Sequence, residues 1–273
     1  MPDRGNINWS REEHILAFNL YCKIPYGTMH GRNPRVIELA HLLGRSVGSV
    51  GLKLSNFARL DPALRARGVQ GLGHGAKGEE EVWDEFVHQP EGLAYESERL
   101  LADRLGRPLE EVAEIEVKDL PVAGIEREAI VRVRVNQSFF RRRIVSAYEF
   151  RCCVTGLAVR ELLVASHIVP WAQDAANRLN PRNGLCLNAL HDRAFDRGLM
   201  WVDASFVVRF SDRLRADARK PDTTLAWLTS FDGQPLHLPK RFSPDPVFLR
   251  RHAEGSRKPQ FDPDARTGLM EAR

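Results

Sequence analysis

Three polar positions in the middle of this chain have the residue types and spacing of a hydrolytic site. His167 follows an apolar run, Asn183 comes sixteen residues later, and His191 and Asp192 come eight and nine residues after that asparagine. A neutral histidine can take a proton from water near neutral pH. A carboxylate or a second imidazole can hold a divalent cation. Together these groups indicate hydrolysis by an activated water beside a cation that neutralises developing charge.

These groups need rigid elements to position them. Residues 162–165 are predicted to form a buried strand, which Pro170 prevents from continuing. A strand end is rigid, so His167 is the predicted general base. The alternative is a histidine that only packs in the core. Asn188 is the predicted N-cap of a helix that reaches about Arg197.

The order of these pieces resembles the HNH endonuclease family, whose ββα-metal core is a β-hairpin, a loop and one helix around a single metal. The resemblance covers about residues 130–215 and is carried by Ser166-His167-Ile168, Asn183-Gly184-Leu185 and Phe195-Asp196-Arg197-Gly198. It implies a metal-dependent endonuclease that hydrolyses DNA phosphodiester bonds. The most common context of the family is restriction or modification-dependent defence, and this is the expected biological role.

The resemblance also implies a role for each position. Asn183 would tie the loop to the strand and so fix His167. The metal ligand is expected about nine positions after Asn183, which selects Asp192, with His191 one position early and both residues as alternatives. Oxygen and imidazole donors with open positions suit Mg²⁺ or Mn²⁺, with Zn²⁺ and Ni²⁺ as further alternatives.

The position before the base departs from the family pattern. Ser166 stands where many members have an aspartate or another ligand, and it is a weak ligand. The metal affinity is therefore expected to be modest, or water and substrate phosphate are expected to complete the metal's ligands. Asp196 is interpreted as a helix-end or turn residue.

The cysteines do not support a zinc ribbon. Members with such a ribbon have Cys-x-x-Cys after the first helix and a second pair flanking the last helix, where this chain has Thr155, Asn188 and His191. The pattern resembles the zinc-free branch found in bacterial restriction and defence proteins. No structural zinc is expected, and apolar packing is expected to hold the hairpin.

The charge is segregated along the chain, and this favours a polyanionic partner. Residues 1–78 carry 11 Lys and Arg against 5 Asp and Glu, and residues 130–219 carry 15 against 8. Residues 79–128, in contrast, carry 5 against 16. DNA is the expected partner, and the predicted contacts in the second basic block are Arg141, Arg142, Arg143 and Arg193. Because double-strand cleavage needs two active sites or two visits, a homodimer is an option.

The N-terminal basic block is predicted to be helical, beginning at the N-cap Ser10. Two later helices are separated by a turn at Gly44, a pattern typical of a helix-turn-helix or Myb-like module. This interpretation places Arg45 and Lys53 on DNA. A three-helix scaffold or protein-docking unit is the alternative.

The predicted fold is therefore α+β, with a helical N-terminal domain and a ββα-metal nuclease domain. The predicted units are residues 1–78, an acidic and mobile helical connector at 79–128 that holds the basic domains apart, the nuclease domain at 129–219 and a Pro-rich tail at 220–273. A short strand is predicted at 131–135 and a flexible Gly-rich loop at 68–78. The tail is expected to hug the surface or to be partly disordered.

Two rival functions remain. One is a nuclease for RNA or structured DNA, and the other is a transcription regulator whose HNH-like domain is not catalytic. No apolar run reaches the roughly 18 residues that a membrane helix needs, and no signal peptide is recognised. The expected location is the cytoplasm, away from membranes.

Overall fold

The computed structural model describes residues 8–68, 77–116, 118, 120–121, 123–218 and 222–256. The predicted Gly-rich loop lies almost entirely outside this part. The helices are α1 (Arg11–Lys23), α2 (Pro34–Leu43), α3 (Val47–Leu60), α4 (Pro62–Arg65), α5 (Lys77–Val87), α6 (Pro90–Leu105), α7 (Leu109–Val112), α8 (Ile125–Ala147), α9 (Ala189–Asp196), α10 (Asp212–Asp217), α11 (Thr223–Thr229) and α12 (Pro246–Ser256). The strands are β1 (Leu163–His167), β2 (Gly184–Asn188), β3 (Met200–Val202) and β4 (Val208–Phe210). This mixture of helices with two small sheets is an α+β fold.

The N-terminal helices begin and end where the local sequence directs. Ser10 and Glu13 form a reciprocal capping box on α1. Gly44 ends α2 in the left-handed conformation at φ 63°, and Ser46 caps α3. The helical nature of this region is shown, whereas a helix-turn-helix function remains a prediction.

The predicted strand at 131–135 is wrong, because these residues lie within the long helix α8. Val131 and Val135 are 7% and 0% exposed, whereas Val133 is 42% exposed. Residues four apart share one face of a helix, but the alternate residues of a strand would all face the same side. The valines follow the helical period, and β-branching did not decide the local structure.

Acidic helices α5 and α6 pack onto the N-terminal helices. Glu98 pairs with Lys23, and Glu79 pairs with Lys53, all four side chains being buried. Helix α1 contacts α3, α5, α6 and α8, so the connector does not separate α1 from α8. The acids of this segment thus neutralise basic residues of the first block. The proposed domain boundaries remain predictions.

The nuclease-like core is a hairpin set against α8. Strands β1 and β2 are antiparallel, with His167 opposite Gly184. A side chain at Gly184 would collide with Ile144 and Phe140 of α8. Strands β3 and β4 form a second antiparallel hairpin.

The C-terminal region is more ordered than the predicted tail. Helices α11 and α12 bury Leu228 and Leu249. Between them, Arg241 is 1% exposed and donates to the carbonyls of Tyr21 and Ile24. The low apolar periodicity was misleading for residues 222–256, because one buried arginine and a few leucines fix this part. Residues 257–273 of the predicted tail lie outside the described residues. Among the described residues, no helix is long and apolar enough to cross a membrane.

Candidate active site

His167 ends β1 with its imidazole fixed on three sides. Its Nε2 lies 2.9 Å from the carbonyl oxygen of Arg178, its ring stacks on Phe140 at 3.9 Å between centroids, and Trp171 meets it edge-on at 5.6 Å. A carbonyl oxygen only accepts, so Nε2 carries the proton in the neutral ring and Nδ1 has the free lone pair. This nitrogen can therefore accept a proton from a bound molecule.

The surroundings of His167 favour the uncharged imidazole. Burial lowers the pKa of His167 below its usual 6.5, while the Arg178 carbonyl and the Asp196 carboxylate act in the opposite direction. A histidine must be unprotonated to act as a general base. The site keeps it in that form near neutral pH.

Asn183 is fully buried and connects the two ends of the long loop between β1 and β2. Its Oδ1 accepts from the backbone N–H of Val169 at 2.8 Å. Its Nδ2 donates to the carbonyls of Val169 and Asn177 at 3.1 and 3.2 Å. The backbone N–H of Ile168 also donates to the Asn183 carbonyl. One side chain thus holds the residues that follow His167 and the loop that contacts its ring.

Helix α9 brings two carboxylates to this site. Asn188 caps the helix by accepting from the backbone N–H groups of Leu190 and His191. Asp192 and Asp196 are four residues apart and therefore share a face. Burial raises the pKa of the Asp192 carboxyl above its usual 3.8, the adjacent Ser166 hydroxyl acts in the opposite direction, and Asp196 adds to the rise.

His191 lies away from this carboxylate face. It is 0% exposed, and its ring meets Trp227 and Phe231 edge-on. The Asn188 Nδ2 group donates to its Nδ1 at 2.9 Å, and burial lowers its pKa to about 4. Nδ1 thus contacts Asn188, aromatic side chains enclose the ring, and the buried Nε2 has no hydrogen-bond partner among the described residues. His191 and Asp192 therefore lie in different surroundings, and the choice of ligand between them remains a prediction.

His167 opens onto a cleft of about 230 Å³ that also receives groups the sequence did not indicate. Asp196 lines this cleft, together with Arg251 and His252 of α12. The signal for Asp196 was its spacing of four residues from Asp192, which places both on one face. No sequence signal placed α12 here, because its contacts depend on tertiary packing alone.

The predicted DNA-binding cations fall into two groups. Arg141 and Arg193 are exposed, and Arg141 lies beside His167 in a shallow depression next to Trp171. Arg142, in contrast, pairs with Glu114 and donates to the Val112 carbonyl. The guanidinium of Arg143 lies 4.6 Å from the centre of the Phe242 ring and lines a different cavity. Arg141 also donates to the Leu163 carbonyl at 2.7 Å. Its position beside His167 and the exposure of Arg193 leave both residues accessible to a polyanion.

The structure corrects the prediction that Arg45 and Lys53 contact DNA. Both are buried, and they bind the carboxylates of Glu13 and Glu79. Acidic partners that are distant in sequence occupy these cations, so we do not expect either residue to contact DNA. The alternation of basic and acidic blocks is therefore partly an internal pairing.

A hydrogen-bonded group occupies the place of the absent zinc ribbon. The Asn188 Nδ2 lies 3.4 Å from the Thr155 hydroxyl and 3.6 Å from the Cys152 sulfur, besides its contact with His191. Four residues at the ribbon positions thus meet in the structure. Polar contacts contribute here in addition to the apolar packing that was expected.

The donor chemistry of the site fits a hard divalent cation. In the described ranges, no group of three or more His, Cys, Asp or Glu residues is arranged to hold a metal ion. Burial and the Asp196 carboxylate raise the pKa of Asp192, whereas the Ser166 hydroxyl and the Arg193 guanidinium lower it. Two carboxylates with a hydroxyl at Ser166 suit a cation that keeps several water ligands, as Mg²⁺ commonly does.

Comparison with known proteins agrees with this geometry. Residues 152–219 match the family described as HNH endonuclease. The matched segment contains β1, β2, α9, β3, β4 and α10. No curated protein matches the chain. Residues 152–219, which include the hairpin and the helix around His167, are therefore similar to the HNH endonuclease family.

Proposed function

We propose that this protein is a metal-dependent endonuclease that hydrolyses phosphodiester bonds of DNA. The observation that carries the proposal is that His167, in its uncharged form, lines one cleft together with Asp196, while Asp192 lies one turn earlier on the same face of α9. The exposed Arg141 lies beside His167. Base, cation donors and phosphate-binding groups are the three requirements of phosphodiester hydrolysis. HNH nucleases generally use a divalent metal, which agrees with the oxygen donors.

In this proposal, His167 Nδ1 accepts the proton of the attacking water. The Arg178 carbonyl holds Nε2–H, so the ring keeps one tautomer and one orientation. Asn183 keeps that carbonyl and the strand end in register through its contacts with Val169 and Asn177. The residues of the loop thus position the base before substrate binds.

Asp192 and Asp196 would hold the cation, with Ser166 as a weak third donor. When bound, the metal supplies charge neutralisation at the phosphate and stabilises the leaving oxygen. Because His191 is turned away, the donors are oxygen atoms, and these favour Mg²⁺ or Mn²⁺ over Zn²⁺ or Ni²⁺. Arg141 and Arg193 would bind flanking phosphates in a contact that is independent of base sequence and weakens with salt.

Cleavage assays with the full chain test this function. Supercoiled plasmid, linear duplex, single-stranded DNA and RNA are incubated with Mg²⁺ or Mn²⁺, with and without EDTA. We expect nicked or linear plasmid in the presence of metal and none with EDTA. Cleavage of RNA alone would replace the DNA substrate, and cleavage that EDTA leaves intact would refute the metal.

Methylated and unmethylated plasmids, compared in the same assay, test the proposed restriction or modification-dependent role. Preference for one of them would support it, whereas equal cleavage of both would count against recognition of that modification.

A further inference from the structure

A second and larger cavity lies between the N-terminal helices and the loop that holds the active-site histidine. Its volume is about 650 Å³, within the roughly 300–1,000 Å³ of small-molecule sites. One wall is formed by residues 176–182 except Arg178. The opposite wall includes Trp83 of α5 and Arg143 of α8. Neither the proposed base nor the carboxylates of α9 line it.

The lining combines flat aromatic rings with cations. Trp83 and Phe242 are both half-buried and contribute to the walls. Arg143 and Arg182 supply two guanidinium groups, and Arg182 also pairs with Asp245 at 3.2 Å. Asp61 is the one lining carboxylate among the described residues. The oxygens of Asp61 already accept from the Tyr21 hydroxyl and the Ala63 backbone N–H. The site therefore favours a ligand with an aromatic ring and a negative charge.

Arg143 has capacity for such a ligand. Its guanidinium lies over Phe242, and its buried Nε has no hydrogen-bond partner in the described structure. Guanidinium groups bind phosphate oxygens with two parallel hydrogen bonds, and aromatic side chains stack on nucleobases. These two chemistries together match a nucleotide better than a simple anion or an apolar molecule.

The loop connects this cavity to the active site. The carbonyl of Asn177 accepts from Asn183, and the neighbouring carbonyl of Arg178 accepts from the His167 ring. On the other side, Phe140, one turn before Arg143 on α8, stacks on His167. A ligand that contacts both residues 176–182 and Arg143 would thus restrain two of the three supports of the imidazole.

We propose that this cavity binds a nucleotide unit, an aromatic base with its phosphate, and that its occupation fixes the loop that positions His167. The ligand is either a free nucleotide or a nucleotide displaced from the nucleic acid being cut. The positioning half of the proposal rests on the proposed nuclease function. The binding half does not.

Calorimetry on the full chain tests binding without any cleavage. The probes are the four deoxynucleoside 5′-monophosphates, with inorganic phosphate and the deoxynucleosides as controls. We expect saturable binding of at least one monophosphate, with phosphate alone or the nucleoside alone at least about tenfold weaker. No binding of any monophosphate at millimolar concentration would overturn the proposal, even if the chain cuts DNA.

Substitutions locate the binding. Arg143→Met keeps most of the apolar stem and removes the guanidinium, and Arg182→Met does the same at the rim. Each is expected to weaken binding by about tenfold or more. Arg134→Met, at an exposed position of the same helix α8, is the matched control and should bind like the wild type. Equal binding by all three variants would place the ligand elsewhere and refute the proposal.

Hydrogen exchange and cleavage then test the coupling and the source of the ligand. The monophosphate should slow exchange in residues 176–183 of the wild type but not of Arg143→Met; unchanged exchange in both would refute the coupling. A free nucleotide that acts as an effector should accelerate DNA cleavage. If the site takes a nucleotide of the substrate, the monophosphate should compete and slow cleavage. If saturating monophosphate neither accelerates nor slows cleavage, the positioning role is refuted.

Discussion

At the level of single residues, the proposed role of His167 depends on which of its ring nitrogens carries the proton. The Arg178 carbonyl accepts a hydrogen bond from Nε2–H, and burial opposes a positive charge on the ring. The opposing pull of Asp196 is weaker than burial, so the pKa lies below 6.5. An uncharged base with a fixed tautomer needs no reorganisation before it accepts a proton.

The first prediction concerns pH. Activity requires uncharged His167, so kcat/KM should be high at neutral pH and should fall as pH decreases through a pKa below 6.5. The raised pKa of Asp192 acts in the same direction, because a protonated carboxyl holds a cation poorly. Measuring kcat/KM from pH 4 to 9 at saturating Mg²⁺ checks this. An acidic limb centred above pH 7 would contradict the assignment.

The second prediction separates Asp192 from His191 as the metal ligand. Asp192→Asn should raise the Mg²⁺ concentration needed for half-maximal cleavage by about tenfold or more, a loss in the range seen when metal-site groups are removed. His191→Gln alters only the buried polar group near Asn188 and should leave this concentration unchanged, with a lower melting temperature. The reverse pattern would make His191 the ligand.

The sequence predicted roles for several residues of this site. The family resemblance implied that His167 is the base, Asn183 the loop support and Asp192 or His191 the ligand, and these roles remain predictions. The predicted N-cap at Asn188 is confirmed. The sequence could not show that the same side chain also contacts the His191 ring, because the two residues are only three apart and either side chain could have turned outward. The packing of α9 against β1 was needed to show that Asp196 lines the cleft.

At the scale of elements, the hairpin of β1 and β2 depends on close contact with α8. Gly184 lies opposite His167, and a Cβ atom there would overlap Ile144 and Phe140. Phe140 is the ring that stacks on His167. The absence of a side chain at one position of β2 therefore lets α8 support the histidine.

The third prediction follows from this contact. Gly184→Ala should destabilise the protein by roughly 1–3 kcal/mol, as overpacking of a core does. Gly48→Ala is the matched control, because open space surrounds that position in α3; it should be neutral or stabilising by up to about 1 kcal/mol. Urea unfolding of both variants provides the free energies. A Gly184→Ala variant as stable as the wild type would show that α8 accommodates the added methyl group without a loss of stability.

The strand predicted at 131–135 was wrong for a specific reason. Alternating valine and arginine at 131–135 satisfies both a strand with one polar face and a helix with Val131 and Val135 on its buried side. Five residues do not separate the two periods. The helical conformation is favoured because the apolar face continues to Phe139, which follows the segment predicted to be a strand.

At the scale of the whole molecule, charges that appeared to face DNA instead hold the helices together. Lys53 and Lys23 bind carboxylates of the acidic segment in buried pairs. Arg241 extends the same principle to the C-terminal region, where it donates to two carbonyls at the end of α1. No local pattern could reveal these pairs, because their partners are 26, 75 and more than 200 residues apart.

The fourth prediction tests this long-range connection. Arg241→Ala removes charge-assisted hydrogen bonds to the carbonyls of Tyr21 and Ile24 and should lower the free energy of unfolding by roughly 1.5–3 kcal/mol. Lys240→Ala, whose exposed side chain pairs with Glu149, is the neighbouring control and should change it by less than about 1 kcal/mol. Similar small changes in both variants would show that the buried guanidinium contributes little.

The central claim is that His167 activates water for phosphodiester hydrolysis. It is tested most directly by comparing the single-turnover cleavage rates of the wild type, His167→Ala and the exposed-surface control His41→Ala at pH 7.5 with saturating Mg²⁺. We expect the cleavage rate to fall by about 10²–10⁴-fold in His167→Ala alone, while the melting curve of this variant shows a folded protein. Equal rates for the wild type and a folded His167→Ala variant would contradict the account.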